Sequence, residues 1–570
     1  MDARILDQEG QVKPTLSVVL NAQDQGGTVP EPARSTPSIG WSSRWAIGLL
    51  VATLLLSGCS STHQWWKNGF KVGPNHCTPA APIADEWIDS QDPNVVSAPM
   101  DYSYWWAVFQ DPVLDELIDT AYHENLTLKI ACQRIVEARA QRGIAVGNLF
   151  PQQQQLFGSY KRNEMSDNAF PFGEFPIRKH YDDWITGFDA TWELDIWGRI
   201  HRSIESADAN LDAQVASYDD ILVMIQAEVA SAYLQLRTTE ERLALAHENV
   251  ELQEHTLEII QHRFDQGVVS ELDLRQAKSA LAATRSLIPA LEEGHRKAET
   301  GLCILLGLPP QQLPTLERGP KRIPQVPPEV IVGIPAELLM RRPDIRKAER
   351  QAAAQCAQIG IATAELYPHI AISGNIAFNA EHFQDLFTWD SITGSVGPGF
   401  QWNILNYGRI KNNIYVQDAR FYQLVYQYQN TVLQANKEAE DGIVSFLKEK
   451  VRARLLEEGV QETEKATELA MLQYEQGFAD YQRVLDTQRA LVLQQDGLAE
   501  SRGKVALNLV AVYKALGGGW QMRCQIEQAT ALAPSEMPVG NEAPMPSPLS
   551  HAPVPLPTVA RTEEVTSAIR

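Results

Sequence analysis

The sequence has no excess of basic residues, no paired cysteines and no long apolar run. Its 49 lysines and arginines are outnumbered by 71 aspartates and glutamates, giving a formal charge of −22. A chain of this charge has no basic excess with which to neutralise phosphates, which argues against a nucleic-acid partner. Its six cysteines form no CxxC, and no cysteine and histidine cluster has the spacing of a zinc site.

Apolar residues are concentrated near the N-terminus, in the run from Trp45 to Leu56. About twelve residues are too few to cross roughly 30 Å of hydrocarbon as a helix, so the run is typical of a secretory signal. It ends in Leu56-Ser57-Gly58-Cys59, which resembles a bacterial lipoprotein box. That resemblance implies diacylation of Cys59, which becomes the first mature residue, and Ser60 behind it implies sorting to the outer membrane. Residues 1–58 are therefore interpreted as lead and signal.

Motifs of the common enzyme classes are also missing. The sequence has no HExxH, no Gly-x-Ser-x-Gly and no phosphate loop. The glycines at 394, 397 and 399 fall in a strand pattern, where small residues suit a lumen or a bend. His63, His76 and Cys77 are isolated residues that we interpret as surface linker. We predict that the protein is not an enzyme and uses no metal or cofactor.

The sequence contains an internal duplication. WELDIWGRI at Trp192–Ile200 matches FQWNILNYGRI at Phe400–Ile410, with Trp192 and Trp402 210 residues apart, as are Gly267 and Gly477. Upstream, residues 125–151 match residues 342–368 at a spacing of 217. The first copy is therefore seven residues longer between Pro151 and Trp192, as expected for an insertion in a surface loop.

Each copy contains a pattern of long helices. From Leu211 onward, apolar residues recur every seven positions: Val215, Leu222, Val229, Leu236, Leu243, Val250, Leu257 and Phe264. This period predicts a coiled-coil helix of roughly 65 residues and about 100 Å. Gly267 would end it, and Ser270 to Asp273 read as a capping box for the next helix, with Asp480 as the equivalent cap in the second copy.

Two shorter helices are predicted beside the long one in the first copy. One covers about Pro112 to Asn148, and the other runs from Ser270 to about Leu306 with a kink at Pro289. Stacked end to end, they would match the length of the long helix.

Between these helices the period changes to two. Ile370, Ile372, Ile376 and Phe378 alternate with small or polar residues, and the same holds for Phe188 to Leu194 and for Ile392 to Ile404. The apolar face would point inward in a soluble sandwich and toward lipid in an outer-membrane barrel. The lipoprotein box favours the barrel. Four strands cannot close a barrel, and lipid forbids an open edge, so several subunits must close it together.

Several motifs resemble one family. They are KVGPNH at Lys71, YWWAVFQDPVLDELI at Tyr104, LLGLPP at Leu305 and LLMRRPDIRKAE at Leu338. Over roughly Val72 to Gly519 the chain resembles TolC-type outer-membrane factors of the NodT-like lipoprotein branch. The resemblance implies an α+β membrane protein that forms a homotrimer, with a 12-stranded β-barrel and a 12-helix periplasmic α-barrel. It also implies a mouth that opens when a periplasmic adaptor (membrane fusion protein) and an inner-membrane resistance-nodulation-division pump dock.

The resulting domain assignment has five parts. After the signal come a lipidated N-terminal segment (59–111), repeat 1 (112–330), repeat 2 (331–524) and a proline-rich tail (525–570) that we predict to be disordered. The predicted function is an outer-membrane exit duct of a tripartite efflux pump. A protein-secretion duct and a structural coiled-coil spacer of the envelope are the alternatives. A spacer would explain the heptads but would not need the strands.

Two groups of site residues follow. The hairpin tips lie farthest from the membrane and are predicted to contact the adaptor; their residues are Gly267, Val268, Ser270, Asp273, Gly477, Phe478 and Asp480. The resemblance implies a gate near the second tip, at Tyr474 and Asp486, while Arg483 stands where the family has another carboxylate. Arg483 and Asp486 are three residues apart on one helix face and can pair. A solvated surface pair is the alternative interpretation.

Overall fold

A computed structural model describes residues 65–98, 101–165 and 180–523. Contacts divide the chain into a first unit, residues 1–67, and a second unit that begins at Asn68 and contains every element given below. Cys59, the predicted signal and the predicted tail at 525–570 lie outside the described residues, as does most of the loop after Glu164.

The second unit contains the predicted duplication. Its principal elements, in chain order, are β1 (Val95–Ser97), α1 (Pro112–Glu124), α2 (Leu126–Gly147), β2 (Gln153–Glu164), β3 (His180–Leu194), α3 (Arg199–Asp265), α4 (Glu271–Arg285), α5 (Leu287–Leu305), β4 (Val330–Val332), α6 (Leu338–Arg341), α7 (Pro343–Ala364), β5 (His369–Ala380), β6 (Ile392–Gln401), α8 (Arg409–Glu475) and α9 (Tyr481–Ala515). Short 3-10 turns lie at Trp105–Phe109, Pro314–Arg318, Pro335–Glu337, Phe383–Asp385 and Trp389–Ser391. Helices α2 and α7 both have 22 residues, and α3 and α8 both have 67.

The long helices confirm the heptad prediction. A helix of 67 residues is about 100 Å long at 1.5 Å per residue. All eight residues of the heptad row are buried or half-buried. Helix α3 begins directly after Gly198, whose φ of 76° is left-handed. A side chain at Gly198 would also collide with Lys71, so only glycine fits this start.

The shorter helices differ from the prediction at one point. Helix 112–148 is interrupted at Asn125, whose ψ of 124° is extended. The Asn125 side-chain oxygen accepts hydrogen bonds from the amides of Thr127 and Leu128, and its amide group donates to the Leu305 carbonyl at 2.8 Å. Asn125 therefore ends α1 and caps α2, because its side chain replaces the backbone bonds that a continuous helix would supply.

The predicted kink near Pro289 is confirmed. The structure breaks at Ser286, between α4 and α5. Proline lacks an amide hydrogen and its ring presses on the carbonyl four residues earlier, which here belongs to Arg285, the last residue of α4. The second copy has Ala499 at the equivalent position, and α9 runs unbroken from Tyr481 to Ala515.

The four longer strands form one antiparallel sheet in the order β2-β3-β5-β6. The two repeats meet at β3 and β5, where Trp192 lies opposite Ile372. Strand β6 ends at Gln401, earlier than the alternation predicted, so Trp402 and Ile404 follow the strand. The indole nitrogens of Trp192 and Trp402 donate to the carbonyls of Leu149 and Leu366, both at 3.0 Å. These equivalent bonds join each strand end to the end of a helix.

The extra length of the first copy lies in two places. Gly158 lies opposite Thr186, and Gly374 lies opposite Val396. Equivalent residues are therefore 210 positions apart in β3 and β6. In β2 and β5 they are 216 positions apart, one fewer than the 217 that separates the helices before these strands. The additional residue is Gln152, which follows Pro151, and the other six fall between β2 and β3. The side chain of Gln152 accepts from the Glu193 amide at 2.7 Å and donates to the Asn148 carbonyl at 2.8 Å.

The largest apolar core surrounds the middle of the long helices and strands β1 and β4, which pair in parallel. The RRPDIR motif ties this region together. The Arg342 side chain donates to the Ala515 carbonyl at 2.9 Å and to Asp344 at 2.7 Å. Arg341 lies over the Tyr102 ring at 4.2 Å. The motif thus fixes the start of α7 against the end of α9.

No helix among the described residues is both long enough and apolar enough to cross a membrane.

Candidate functional site

Both hairpin tips have the same turn. The amides of Gly267 and Val268 donate to the carbonyls of Phe264 and Arg263 at 2.8 and 2.9 Å, and those of Gly477 and Phe478 repeat the pattern. This is the left-handed helix ending that glycine allows. The φ angles of Gly267 and Gly477 are 75° and 81°, and an added Cβ would meet no atom within 4 Å at either position. The glycines are therefore required by backbone geometry and not by close packing.

The residues after each turn start the next helix as predicted. The Ser270 hydroxyl accepts from the Asp273 amide, and the Asp273 carboxylate accepts from the Ser270 amide at 3.1 Å, which completes a capping box. In the second copy the Asp480 carboxylate accepts from the Arg483 amide at 3.3 Å. These three side chains stabilise the chain reversal because they satisfy amides that have no partner within the helix.

Each tip presents an apolar side chain to solvent. Val268 is 66% exposed and Phe478 is 80% exposed, and they occupy equivalent positions one residue after the glycine. Leu272 on the first tip is also exposed. In this type of helix ending the residue at the Val268 position usually packs back on the helix. Exposure of both apolar side chains leaves them available for another protein.

Directly behind the tips, the two hairpins of the chain pack on each other. Their shared core comprises Ile260, Leu274, Ala277, Ala280, Ala470, Tyr474, Tyr481, Val484 and Leu485. Tyr474 belongs to this core and is only 3% exposed, with the Tyr481 ring edge-on at 6.0 Å. Burial raises the pKa of Tyr481 to about 12. It also raises the pKa of Tyr474, although the neighbouring Arg263 opposes the shift. Both phenols are therefore neutral at physiological pH.

Arg263 links the first hairpin to the second. Its guanidinium donates to the Tyr474 carbonyl at 2.9 Å and to the Glu475 carbonyl at 2.7 Å, and lies over the Tyr474 ring at 4.5 Å. These carbonyls belong to the last turn of α8, where the helix dipole favours a cation, and the Tyr474 carbonyl also accepts from the Gly477 amide at 3.0 Å. Arg263 thus caps a helix of the other repeat.

Arg263 was not among the residues chosen from the sequence. The available signal was the difference between the repeats, because RFDQG in the first copy aligns with QYEQG in the second and Gln473 replaces the arginine. We call the contacts of Arg263 with Tyr474 and Glu475 the tip latch.

Arg483 and Asp486 do not contact each other in this structure. Arg483 is directed across the hairpin to the Gln473 side-chain oxygen at 3.5 Å, while Asp486 accepts from Gln482 at 2.9 Å. Asp486 is satisfied by the i, i+4 contact with Gln482 of its own helix, while Arg483 contacts Gln473 of the preceding helix. Both charged side chains are exposed, so they are solvated surface groups in the single chain.

The sheet has one apolar and one polar face, as the alternation predicted. Leu156, Phe188, Ile376, Val396 and Phe400 share one face and are all exposed. The opposite face carries Ser159, Asp189, Thr191, Ser373, Asn375 and Ser395. A sheet face with five exposed apolar residues is typical of contact with lipid.

The polar face continues into a charged cluster at the end of the strands. Glu193 at the end of β3 accepts from Arg199 at 2.6 Å and contacts His369 at 3.1 Å. The equivalent of Glu193 in the second copy is Asn403. Elsewhere, His76 contacts Glu349 at 2.7 Å, and within residues 65–98, 101–165 and 180–523 no group of acidic, histidine and cysteine side chains could hold a metal ion.

Comparison with known proteins agrees with this architecture. The sequence profile of the family described as outer membrane efflux protein matches residues 117–308 and 334–518, one segment in each repeat. The chain is 30% identical over 418 residues to the pyoverdine export outer membrane protein OpmQ of Pseudomonas putida, covering 73% of this chain and 88% of that one. It is 29% identical over 476 residues to nodulation protein T of Rhizobium leguminosarum bv. trifolii, covering 82% of this chain and 96% of the relative.

Among solved structures, the outer-membrane channel OprN is similar with a TM-score of 0.74 and 31% identity. The match covers 79% of this chain and 99% of that channel.

Proposed function

The chain belongs to the outer membrane efflux protein family, and from this premise we propose that three copies close one continuous duct, whose periplasmic mouth is held shut at the hairpin tips. The protein is an exit duct of efflux pumps in the outer membrane. The proposal adds the assembly, the docking surface and the gate.

One observation carries the assembly. The sheet has an exposed apolar face, yet among the described residues β2 and β6 each pair with one strand only. In lipid, every backbone amide and carbonyl needs a partner, and four strands are too few to close a barrel. Other copies supply the missing partners, and the family resemblance gives the number three. A coiled-coil spacer would have no use for such a sheet.

The tips are the proposed contact with the periplasmic adaptor. Val268 and Phe478 present apolar side chains at equivalent ends of the two hairpins, so each copy offers two similar contact points. An inner-membrane pump of the resistance-nodulation-division class is the partner that supplies substrate. Opening of the mouth then requires the second hairpin to move away from the first, which breaks the tip latch.

The proposal also includes lipidation of Cys59. The lipoprotein box supports it, and a lipid on this residue would hold the N-terminal segment at the membrane. Cys59→Ala should abolish labelling by radioactive palmitate, while Cys77→Ala should leave it unchanged. Labelled Cys59→Ala protein would contradict the assignment.

The assembly is tested with the full chain in mild detergent. Mass measurement by light scattering should give three times the chain mass, and insertion into planar lipid bilayers should give ion conductance. A monomeric mass, or a trimer that does not conduct even when Arg263→Gln removes the tip latch, would overturn the duct.

A further inference from the structure

A basic cleft lies beside the middle of the long helices, away from both the tips and the sheet. It has a volume of about 680 Å³ and is bounded by α3, α8, α9 and the segment 322–326 that precedes β4. Four cations and two carboxylates line it, on a chain whose net charge is −22. These charged residues are Glu241, Arg322, Lys450, Arg454, Glu457 and Arg502.

Much of this positive charge is specific to the second repeat. Residues 448–454 of α8 read KEKVRAR, with four cations and one acid. The equivalent residues of α3, 238–244, read TTEERLA, with one cation and two acids. Helix formation does not require the additional cations, because α3 has the same 67 residues without them.

The two carboxylates of the cleft already have partners. Arg502 donates to Glu457 at 2.7 Å and lies 3.7 Å from Glu241. Glu241 also accepts from the Ile323 amide at 3.1 Å, which holds the segment 322–326 against α3. These contacts fix the walls of the cleft and use one of its four cations.

Among the residues that the structure describes, the other three cations have no acidic partner. Lys450 donates to two neutral oxygens, the side-chain oxygen of Asn94 at 2.7 Å and the Pro328 carbonyl. The guanidinium groups of Arg322 and Arg454 form no hydrogen bond or ion pair within the described part of the chain. Two guanidinium groups with unused donors in one cleft suit a ligand that carries carboxylates.

The chain beyond Arg523 has the complementary charge. Residues 524–560 contain no lysine or arginine. They contain three glutamates, Glu527, Glu536 and Glu542. The Arg523 guanidinium donates to Asp219 of α3 at 2.8 Å, so this acidic stretch starts on a helix that borders the cleft.

Distance selects which of the glutamates can enter the cleft. The contact of Arg523 on α3 lies 22 residues before Glu241, which corresponds to about 33 Å along the helix. An extended chain spans at most about 3.5 Å per residue, so Glu527 reaches no farther than about 14 Å from Arg523, whereas Glu536 reaches about 45 Å. Glu536 and Glu542 can therefore enter the cleft, and Glu527 cannot.

We propose that the cleft binds residues 536–542 of the same chain, with the carboxylates of Glu536 and Glu542 on the guanidinium groups of Arg322 and Arg454. Exposed ion pairs are individually weak, but the covalent connection through Arg523 holds the segment near the cleft at an effective concentration in the millimolar range. The inference does not depend on the proposed duct, because every contact lies within one copy.

Photocrosslinking of the full chain in mild detergent tests this assignment. Benzoylphenylalanine in place of Met537, next to Glu536, should crosslink to residues 322–326 or 450–457. Mass spectrometry identifies the crosslinked peptides, and the product should keep the mass of a monomer on denaturing gels. Benzoylphenylalanine in place of Gln528 is the matched control, because this position is too close to Arg523 to reach the cleft.

Charge variants test the contacts. Arg322→Gln combined with Arg454→Gln should lower the crosslinking yield from position 537 roughly tenfold, and Glu536→Gln combined with Glu542→Gln should do the same. Arg452→Gln should leave the yield unchanged, because Arg452 is an exposed residue of the same helix that already pairs with Glu449 at 3.2 Å. Helix content measured by circular dichroism separates a lost contact from unfolding.

Three results would overturn the proposal. Unchanged yields in both double variants would show that these charges do not hold the segment. A crosslinked dimer in place of the monomer would assign the bound segment to another copy. Retention of the protein on purified cell-wall sacculi that is lost in Arg322→Gln with Arg454→Gln, without any crosslink from position 537, would identify the carboxylates of the wall polymer as the occupant.

Discussion

Replacement of Arg263 should release the periplasmic mouth. The change Arg263→Gln introduces glutamine, which the second repeat carries at the equivalent position, Gln473. Glutamine is therefore compatible with the end of a long helix of this type. It removes two hydrogen bonds to the Tyr474 and Glu475 carbonyls, at 2.9 and 2.7 Å, and the contact with the Tyr474 ring.

The expected magnitude follows from these contacts. At a half-buried site, each hydrogen bond from the charged guanidinium contributes about 1 kcal/mol, and the cation–π contact contributes about 0.5–1 kcal/mol. The closed arrangement should therefore lose about 2.5–3 kcal/mol, which corresponds to a roughly 60- to 140-fold increase in the ratio of open to closed mouths. Arg263→Lys retains the charge but not the planar pair of donors, so its increase in the ratio of open to closed mouths should be smaller than that of Arg263→Gln.

Single-channel conductance in planar bilayers measures the effect, and sensitivity of whole cells to vancomycin measures it independently. Arg263→Gln should conduct more than the parent protein and sensitise cells. Arg275→Gln is the control, because Arg275 is an exposed residue near the same tip that contacts Glu271 of its own helix at 2.9 Å. Parental conductance from an Arg263→Gln protein of normal mass and helix content would refute the role of the latch.

Three further results are expected. Phe478→Cys should crosslink to a co-expressed adaptor through a short cysteine-reactive linker, whereas crosslinks confined to the middle of the helices would contradict docking at the tips. Asp486→Ala should raise conductance if the exposed carboxylate belongs to the constriction; unchanged conductance in both Asp486→Ala and Arg483→Ala would place the constriction elsewhere. Asp219→Asn should lower the free energy of unfolding by about 1–3 kcal/mol, because the fully buried Asp219 carboxylate accepts from two partly exposed arginines that would lose their counter-charge. Asp441→Asn at an exposed pair should change the free energy of unfolding little.

The two repeats share their architecture but differ in the contacts that join their hairpins. The tip turns and the lengths of the long helices α3 and α8 are the same in both repeats, yet the residues that hold the hairpins together differ. Arg263 exists only in the first repeat, and its position in the second is Gln473. The first hairpin therefore donates the Arg263 side chain to the last turn of α8, and the second hairpin has no equivalent arginine to return the contact.

The sequence by itself determined the elements whose causes are local. The heptad row predicted the long helices because residues on one buried face of a coiled-coil helix recur every seven positions. Four residues predicted the turns, because their own side chains or backbone angles form them: Gly267, Ser270, Asp273 and Asp480. The period-two alternation identified the strands for the same reason. The sequence also contained the break at Ser286, through Pro289. The break at Asn125 was not predicted, although asparagine is a preferred N-cap residue; its side chain caps α2 locally and also donates to the distant Leu305 carbonyl.

Only the tertiary structure decided which groups meet across the chain. The burial of Tyr474 and its contact with Arg263 join residues more than 200 positions apart, and no local pattern encodes that distance. Arg483 lies three residues from Asp486, yet it contacts Gln473 of the preceding helix, while Asp486 accepts from Gln482 of its own helix. The outward face of β2 likewise depended on one inserted residue, Gln152. A strand has a period of two, so a single residue reverses every side chain, and only pairing with the neighbouring strand fixes which face is turned outward.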